Sequence, residues 1–521
     1  MATTIFTQPE VIQPVYGNLV YEFSATTQAT KFKFRYVAEV YVEEELIGTF
    51  KITPQFSTHA RLDIAEILRN YINSRPINDG CSGTTETPIV QAEWGYLKDD
   101  IHDYYVIIKT EYSDNAVDAP VIAGPVATGT TAYAYNGVKN WYDGKSFDMG
   151  EYLLSNLTVP TNVPADHHKF LTKAPRIQYI ASDDYATLSG INTRLPLYDG
   201  STYDDYSQPV YSMTAEFYDI DDTLLSSGTT YNLTGSCGSF ISGANITGQT
   251  DNYLRSNIIY AGTGPQNLSD AGLTGTTTDW NYYRVYFNGY SPVCITATIT
   301  NTTIGVVSMT YTNCNNQPIS LNVDAGASTE ICYRGFPFIT DGLTIERTGY
   351  CQELVEEQYM SEERISEYFY YYKDPTCGPG SQRVMWLNSL GTYDYFTFKG
   401  RDTVGYDMNR QSFESVADNV TTLWDTDKYY GWNNQRQVYN QNVTKSGILY
   451  SGRISKSYLS WITEELLKSP SVYLVDGDGD IQPIVLTNTE VIEPNFQRND
   501  GVYEINLEYI GGFNENRQIK E

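Results

Sequence analysis

The stretch Arg383–Gly400, RVMWLNSLGTYDYFTFKG, reads as a strand, a turn and a second strand. Val384, Met385, Trp386 and Leu387 are apolar on successive positions, which suits a strand covered on both faces rather than one with a wet side. Asn388-Ser389-Leu390-Gly391 supplies the break. Tyr393 to Phe398 then gives a run rich in aromatic and β-favouring residues, with Asp394 standing alone among them. This strand pair is the expected core of the C-terminal part, packed under a helix over 457–468.

Working outward, the same grammar recurs. In KFKFRYVAEVYV, Phe32, Phe34, Tyr36, Ala38, Val40 and Val42 fall on one face, the period-2 mark of a half-buried strand. Glu43-Glu44-Glu45 turns it back on itself. Ile64, Ile67, Leu68, Tyr71 and Ile72 have helical spacing and predict a first helix, stopped by Pro76. SYLSWITEELLK, with Leu459, Ile462 and Leu466 on a stripe and Pro470 beyond, predicts a second. Elsewhere short strands alternate with Gly/Asn/Asp turns, most regularly from Tyr282 to Cys351.

The fold class expected is mainly β with two short helices, in several β-sandwich-like modules. A chain of 521 residues is too long for one core and suggests about three to four domains. The divisions expected are 1–160, a β domain with one packed helix; 161–281, a β domain with long polar loops; 282–351, a small sandwich insert; and 352–521, a β domain with the 457–468 helix.

The 46 tyrosines suit half-buried sheet surfaces and interfaces, having an apolar body and one polar tip. A net charge of −29 opposes non-specific nucleic-acid binding, which needs clustered Lys and Arg, and opposes an anionic membrane surface. No run is long and apolar enough for a membrane-spanning helix, and the N-terminus lacks a basic region followed by an apolar one. Maturation in a cytosol is the expectation.

Candidate chemistry is sparse. The seven cysteines include no C-x-x-C pair and fit neither a zinc site nor a full disulfide framework; buried free thiols are expected. Should the mature protein end up outside a cell, Cys314, Cys332 and Cys351 are the candidates to pair. Of four histidines, His167 and His168 follow Asp166, but neighbours in a strand point to opposite faces. Asp476, Asp478 and Asp480 in D-G-D-G-D begin like a calcium loop, yet Ile481 and Thr487 depart from that pattern and a hairpin turn explains the run. Paired acids such as Asp183-Asp184 and Asp221-Asp222 carry no defined separation. No phosphate-binding loop, dinucleotide fingerprint or nucleophile elbow occurs, so neither a cofactor nor an enzymatic activity is expected. Trp424, Tyr429, Tyr430 and Trp432 sit in a polar setting, as contacts either for a glycan or for a partner subunit.

Taken together, KFKFRYVAEVYV with LDIAEILRNYI, HHKFLTKAPR, MTYTNC…STEICYRG…TGYC, RVMWLNSLGTYDYFTF and ELLKSPSVYLVDGDGDIQPIVLTN resemble virion structural proteins of tailed bacteriophages, particularly those of Bacteroidota and of marine hosts. The resemblance spans most of the chain and rests on the order of the pieces. It implies a place in the particle, at the tail tip, baseplate or fibre attachment. The partners implied are copies of itself in a ring or trimer and other tail proteins, with assembly in the host cytoplasm. It implies no catalytic residues. A receptor-binding protein contacting host surface polysaccharide, a capsid-decorating protein and a glycan depolymerase are the other readings.

Overall fold

A computed structural model describes residues 3–139, 169–192, 210–232, 257–271, 280–350, 362–414, 436–488 and 502–514, with short interruptions inside these spans, and Tyr152. The protein is mainly β, with several separate sheets and three α-helices among the described residues.

The anticipated N-terminal hairpin is present. Phe32–Val42 pairs with Glu45–Ile52, turning at Glu43 and Glu44, both with positive φ. Ile101–Ser113 lies on its other side. Tyr36, Ala38, Val40 and Val42 are buried against Tyr21, Phe23 and Tyr104, whereas Phe32 lies beyond the covered part and is exposed. Ala65–Leu68 closes this core with Ile64 and Leu68.

A larger core draws on residues from Ile12 to Val475. Two sheets feed it. One has the order Ile177–Ile180, Phe369–Lys373, Tyr282–Tyr290, Val210–Tyr218, Thr229–Asn232, with Glu362–Arg364 also on Tyr282–Tyr290. The other joins Thr187–Asn192, Asn257–Gly262 and Trp94–Leu97. The 1–160 and 161–281 spans therefore share a sheet. Tyr282–Tyr290 belongs to the larger sheet, so the insert's own pairing begins at Ile295. That insert pairs Ile295–Asn301 with Ser328–Tyr333 and Leu343–Tyr350, and adds the hairpin Val307–Thr312/Pro318–Val323. Ile299, Met309, Val323 and Ile331 form its small core.

The C-terminal sheet runs Tyr393–Phe398, Gln382–Leu387, Val472–Val475, Ile481–Leu486, Asn506–Asn514, Arg436–Tyr450, Thr403–Glu414. Here the opening stretch is sandwiched as expected. Met385, Tyr393 and Tyr395 enter the larger core, while Val384, Trp386, Phe396 and Phe398 enter a third core on the opposite face. The helix Lys456–Trp461 covers that face, with Trp386 and Trp461 ring centroids 4.9 Å apart. It continues as a wider π-helical turn, Ile462–Leu466, closed by Leu467 N–H donating to Ile462 O.

Two elements depart from expectation. Pro265–Asp270 is a third helix, opened by Pro just after Gly264. Arg436–Tyr450 is a strand of 15 residues that the sequence pattern did not mark out.

Candidate functional site

The turn at 388–391 is where the molecule's parts meet. Asn388 Oδ1 accepts from the backbone N–H of Leu390 and of Thr392, an Asx turn that folds the chain back. Asn388 Nδ2 donates to Leu171 O and, at 2.9 Å, to Asp394 Oδ1. Trp461 Nε1 donates to Asp394 Oδ2, also at 2.9 Å, and Thr172 donates to the same carboxyl group. The π-helical turn places buried Glu465 against the loop, where it accepts from Ser389 N–H and Oγ–H and pairs with Lys173 at 3.3 Å. Val138 N–H donates to Ser389 O, and Ser74 Oγ–H to Gly391 O. Gly391 has φ +84°, and a Cβ there would lie 2.3 Å from Asn136 O, so the close approach needs glycine.

Asp394 is therefore not alone, as its sequence neighbours suggested. Burial pushes its carboxyl up to about 7, against the hydrogen bonds from Thr172, Asn388 and Trp461 that favour the ionised form. Beside it, Arg383 donates from Nε to Tyr185 O and from Nη1 to Thr397 Oγ1. Thr397 in turn donates to Asp184 Oδ2. Tyr395 and Thr187 share a 2.8 Å hydroxyl–hydroxyl bond. A cavity lined by Thr172, Gln178, Thr187, Arg383, Asp394 and Trp461 has room for about one water molecule. An acid, a cation and tyrosines converge here, but the space admits solvent and not a substrate.

A second arrangement lies on the outer face of the larger sheet. Register sets Tyr218 opposite Tyr282, Tyr282 opposite Tyr372, and Tyr372 opposite Tyr179. Four tyrosines thus cross four adjacent strands in one row. The first two ring pairs stack at 4.9 Å, the third tilts at 6.0 Å, and Tyr179 at the end is half-exposed. In the next row Glu216 accepts from Arg284, and also from the hydroxyls of Tyr218 and Tyr286. Burial alone would raise the Glu216 carboxyl; these donors more than offset it and hold it below the usual carboxylate range. Burial and the Glu216 contact push Tyr218 and Tyr286 up to about 12, and burial with an Asp222 hydrogen bond does the same for Tyr282. The stacked rings of Tyr218, Tyr282 and Tyr372 cover one another's faces.

The residues singled out beforehand fall as follows. Trp424, Tyr429, Tyr430, Trp432, His167 and His168 lie outside the described residues. Asp476 Oδ1 accepts from the N–H of Asp478 and of Asp480, a closed hairpin turn. No group of three or more His, Cys, Asp or Glu among the described residues is placed to hold a metal ion. His102 pairs with Glu43 at 2.8 Å, and His59 packs edge-on against Phe6. Asp221 and Asp222 lie in the turn after Val210–Tyr218, with Asp219 accepting from Asp221 N–H. Cys332 is not a buried free thiol but exposed and disulfide-bonded, and Cys314 and Cys351 lie outside the described residues. Cys377 is free, and burial pushes its thiol up to about 11.

The tyrosine row escaped the sequence reading. Its signal was the alternation in Tyr370/Tyr372 and Tyr282/Arg284/Tyr286, which only the non-consecutive strand order turns into a row.

No protein-family model matches the chain, and no curated protein does. Among solved structures it is similar to a tetra-tandem repeat in the extending region of a large adhesion protein, at 10% identity and TM-score 0.16, over 86% of this chain and 94% of that one. It is also similar to the Bacillus anthracis TIE protein, at 10% identity and TM-score 0.10, over 77% and 68%. Scores this low establish no common fold.

Proposed function

We propose that the chain is a non-catalytic structural component of a tailed-phage virion, at the tail tip, baseplate or fibre attachment, acting through extended surfaces. The observation that carries this reading is the closed junction at 388–394. The convergence of Asp394, Arg383 and tyrosines that would suit chemistry leaves room for about one water molecule, and its turn is tied to residues 74, 138, 171 and 465. Such a junction holds sheets in fixed relation, which is what a part under mechanical load needs. Partners are copies of itself and neighbouring tail proteins. Electron microscopy of phage particles carrying a labelled chain tests the reading. Label at the tail supports it; label on the capsid shell, or on no particle, overturns it.

The tyrosine row favours a second reading, contact with a host-surface polysaccharide through the half-exposed Tyr179 ring at its end. Tyr179→Ala should then weaken binding of purified capsular polysaccharide by about fivefold or more, as one aromatic contact is worth. A depolymerase would release new reducing ends from that polysaccharide, and none are expected.

A further inference from the structure

Thr403–Glu414 and Arg436–Tyr450 form a two-stranded ribbon that leaves the C-terminal sheet. Among the described strands, only its base pairs with a third: Asn506–Asn514 lies beside the span from Thr444 to Tyr450. From Met408 outward the two strands have just each other among the described strands, and residues 406–413 are exposed on both faces. A lone two-stranded hairpin is marginal in water and needs a third strand or a packed face. Thr403–Glu414 is also the terminal strand of its sheet, so from Thr403 to Arg410 its outer edge pairs with no described strand. Exposed edges of this kind are usually blunted by charge or bulges, because they template pairing.

The edge carries a pattern that complements itself. Tyr406, Met408 and Arg410 are two apart and share a face. Tyr406 is 53% and Met408 51% exposed, and Arg410 Nη2 lies 3.3 Å from Met408 Sδ. The ribbon also breaks the chain's charge. It has Arg410, Arg436 and Lys445 against Asp407 and Glu414, in a protein of net charge −29. A second acidic copy meets less repulsion here than over the rest of the surface.

We propose that this edge pairs antiparallel with the same edge of a second copy, about a two-fold axis at Met408. Strands so paired keep a common face, so Met408 of each copy lies opposite Met408 of the other. Tyr406 of each lies opposite Arg410 of the other, two cation–π contacts from one symmetric interface. The two C-terminal sheets become one continuous sheet. This goes beyond the virion reading, since it concerns the free chain in solution and stands or falls without any particle.

Light scattering after size exclusion of the full chain should show a dimer. Met408→Cys should form a disulfide-linked dimer under mild oxidation, because directly opposed positions meet disulfide geometry. Val443→Cys, on the same face but one strand inward, puts the two thiols about three strand spacings apart and should not. Arg410→Glu should weaken the dimer about tenfold by removing both cation–π contacts. The proposal is overturned by a monomeric wild-type chain, by Met408→Cys linking no better than Val443→Cys, or by undiminished dimerisation of Arg410→Glu.

Discussion

Two hairpins of one sheet behave in opposite ways. Gln382–Leu387 with Tyr393–Phe398 is buried on both faces, and its turn is gripped by side chains from distant parts of the chain. Thr403–Glu414 with Arg436–Tyr450 is longer, yet among the described strands it pairs with the rest of the sheet only at its base. Both make the same ladder of backbone hydrogen bonds. What separates them is side-chain burial, so the ladder alone does not decide where stability resides.

The contrast is sharpest at Trp386, which is fully buried against Trp461. Trp386→Ala should cost about 3–5 kcal/mol in a denaturant titration. A cost below 1 kcal/mol, about that of a surface position, would show that the hairpin is not the keystone.

Asp394 gives a pH signature that the ribbon lacks. Its folded carboxyl sits near 7, against an ordinary value of 3.8, so the folded chain holds the proton more tightly than the unfolded one. The stability from this group is therefore full below about pH 4 and is lost as pH rises to about 7. Asp394→Asn cannot titrate. The stability of the wild type relative to Asp394→Asn should fall over that window by a few kcal/mol and then level off. A relative stability that instead rises with pH would mean that the donors to Asp394 outweigh its burial.

Gly391→Ala should cost about 1–3 kcal/mol, combining a left-handed backbone with the approach to Asn136 O. Thermal unfolding reads it, and Gly391→Asn, which tolerates positive φ better, should not rescue the approach. On the ribbon, Tyr406→Ser or Met408→Ser should change the stability of the monomer by no more than about 0.5 kcal/mol. A larger loss would mean that the ribbon is already covered within one copy.

The sequence disclosed these two hairpins unequally, for the same physical reason. Val384 to Leu387 is an uninterrupted apolar run, and Tyr393 to Phe398 is aromatic on both faces around Asp394 and Thr397, because two cores claim alternate residues. The N-terminal strand shows alternation because one core claims one face. The outer part of the ribbon, with Asn409, Gln411 and Ser412 exposed, has no buried face from Tyr406 to Phe413 and so no period to read there. The helix Pro265–Asp270 is too short to show a stripe. The junction was hidden for another reason. Asp394 meets Asn388 six residues away, but also Trp461 and Thr172, and nothing local announces partners brought by the fold. Likewise the tyrosine row needs the register of four strands that are not consecutive in the chain.

The 295–350 insert has a consequence of its own. Tyr290 and Glu362, the residues between which the chain departs and returns, are direct cross-strand partners. Among the described strands, those of this detour pair only with one another. It is an exchangeable cassette: replacing 291–361 by a short turn should leave the host sheet closed, and a reporter or a foreign binding domain with adjacent termini can be grafted in its place.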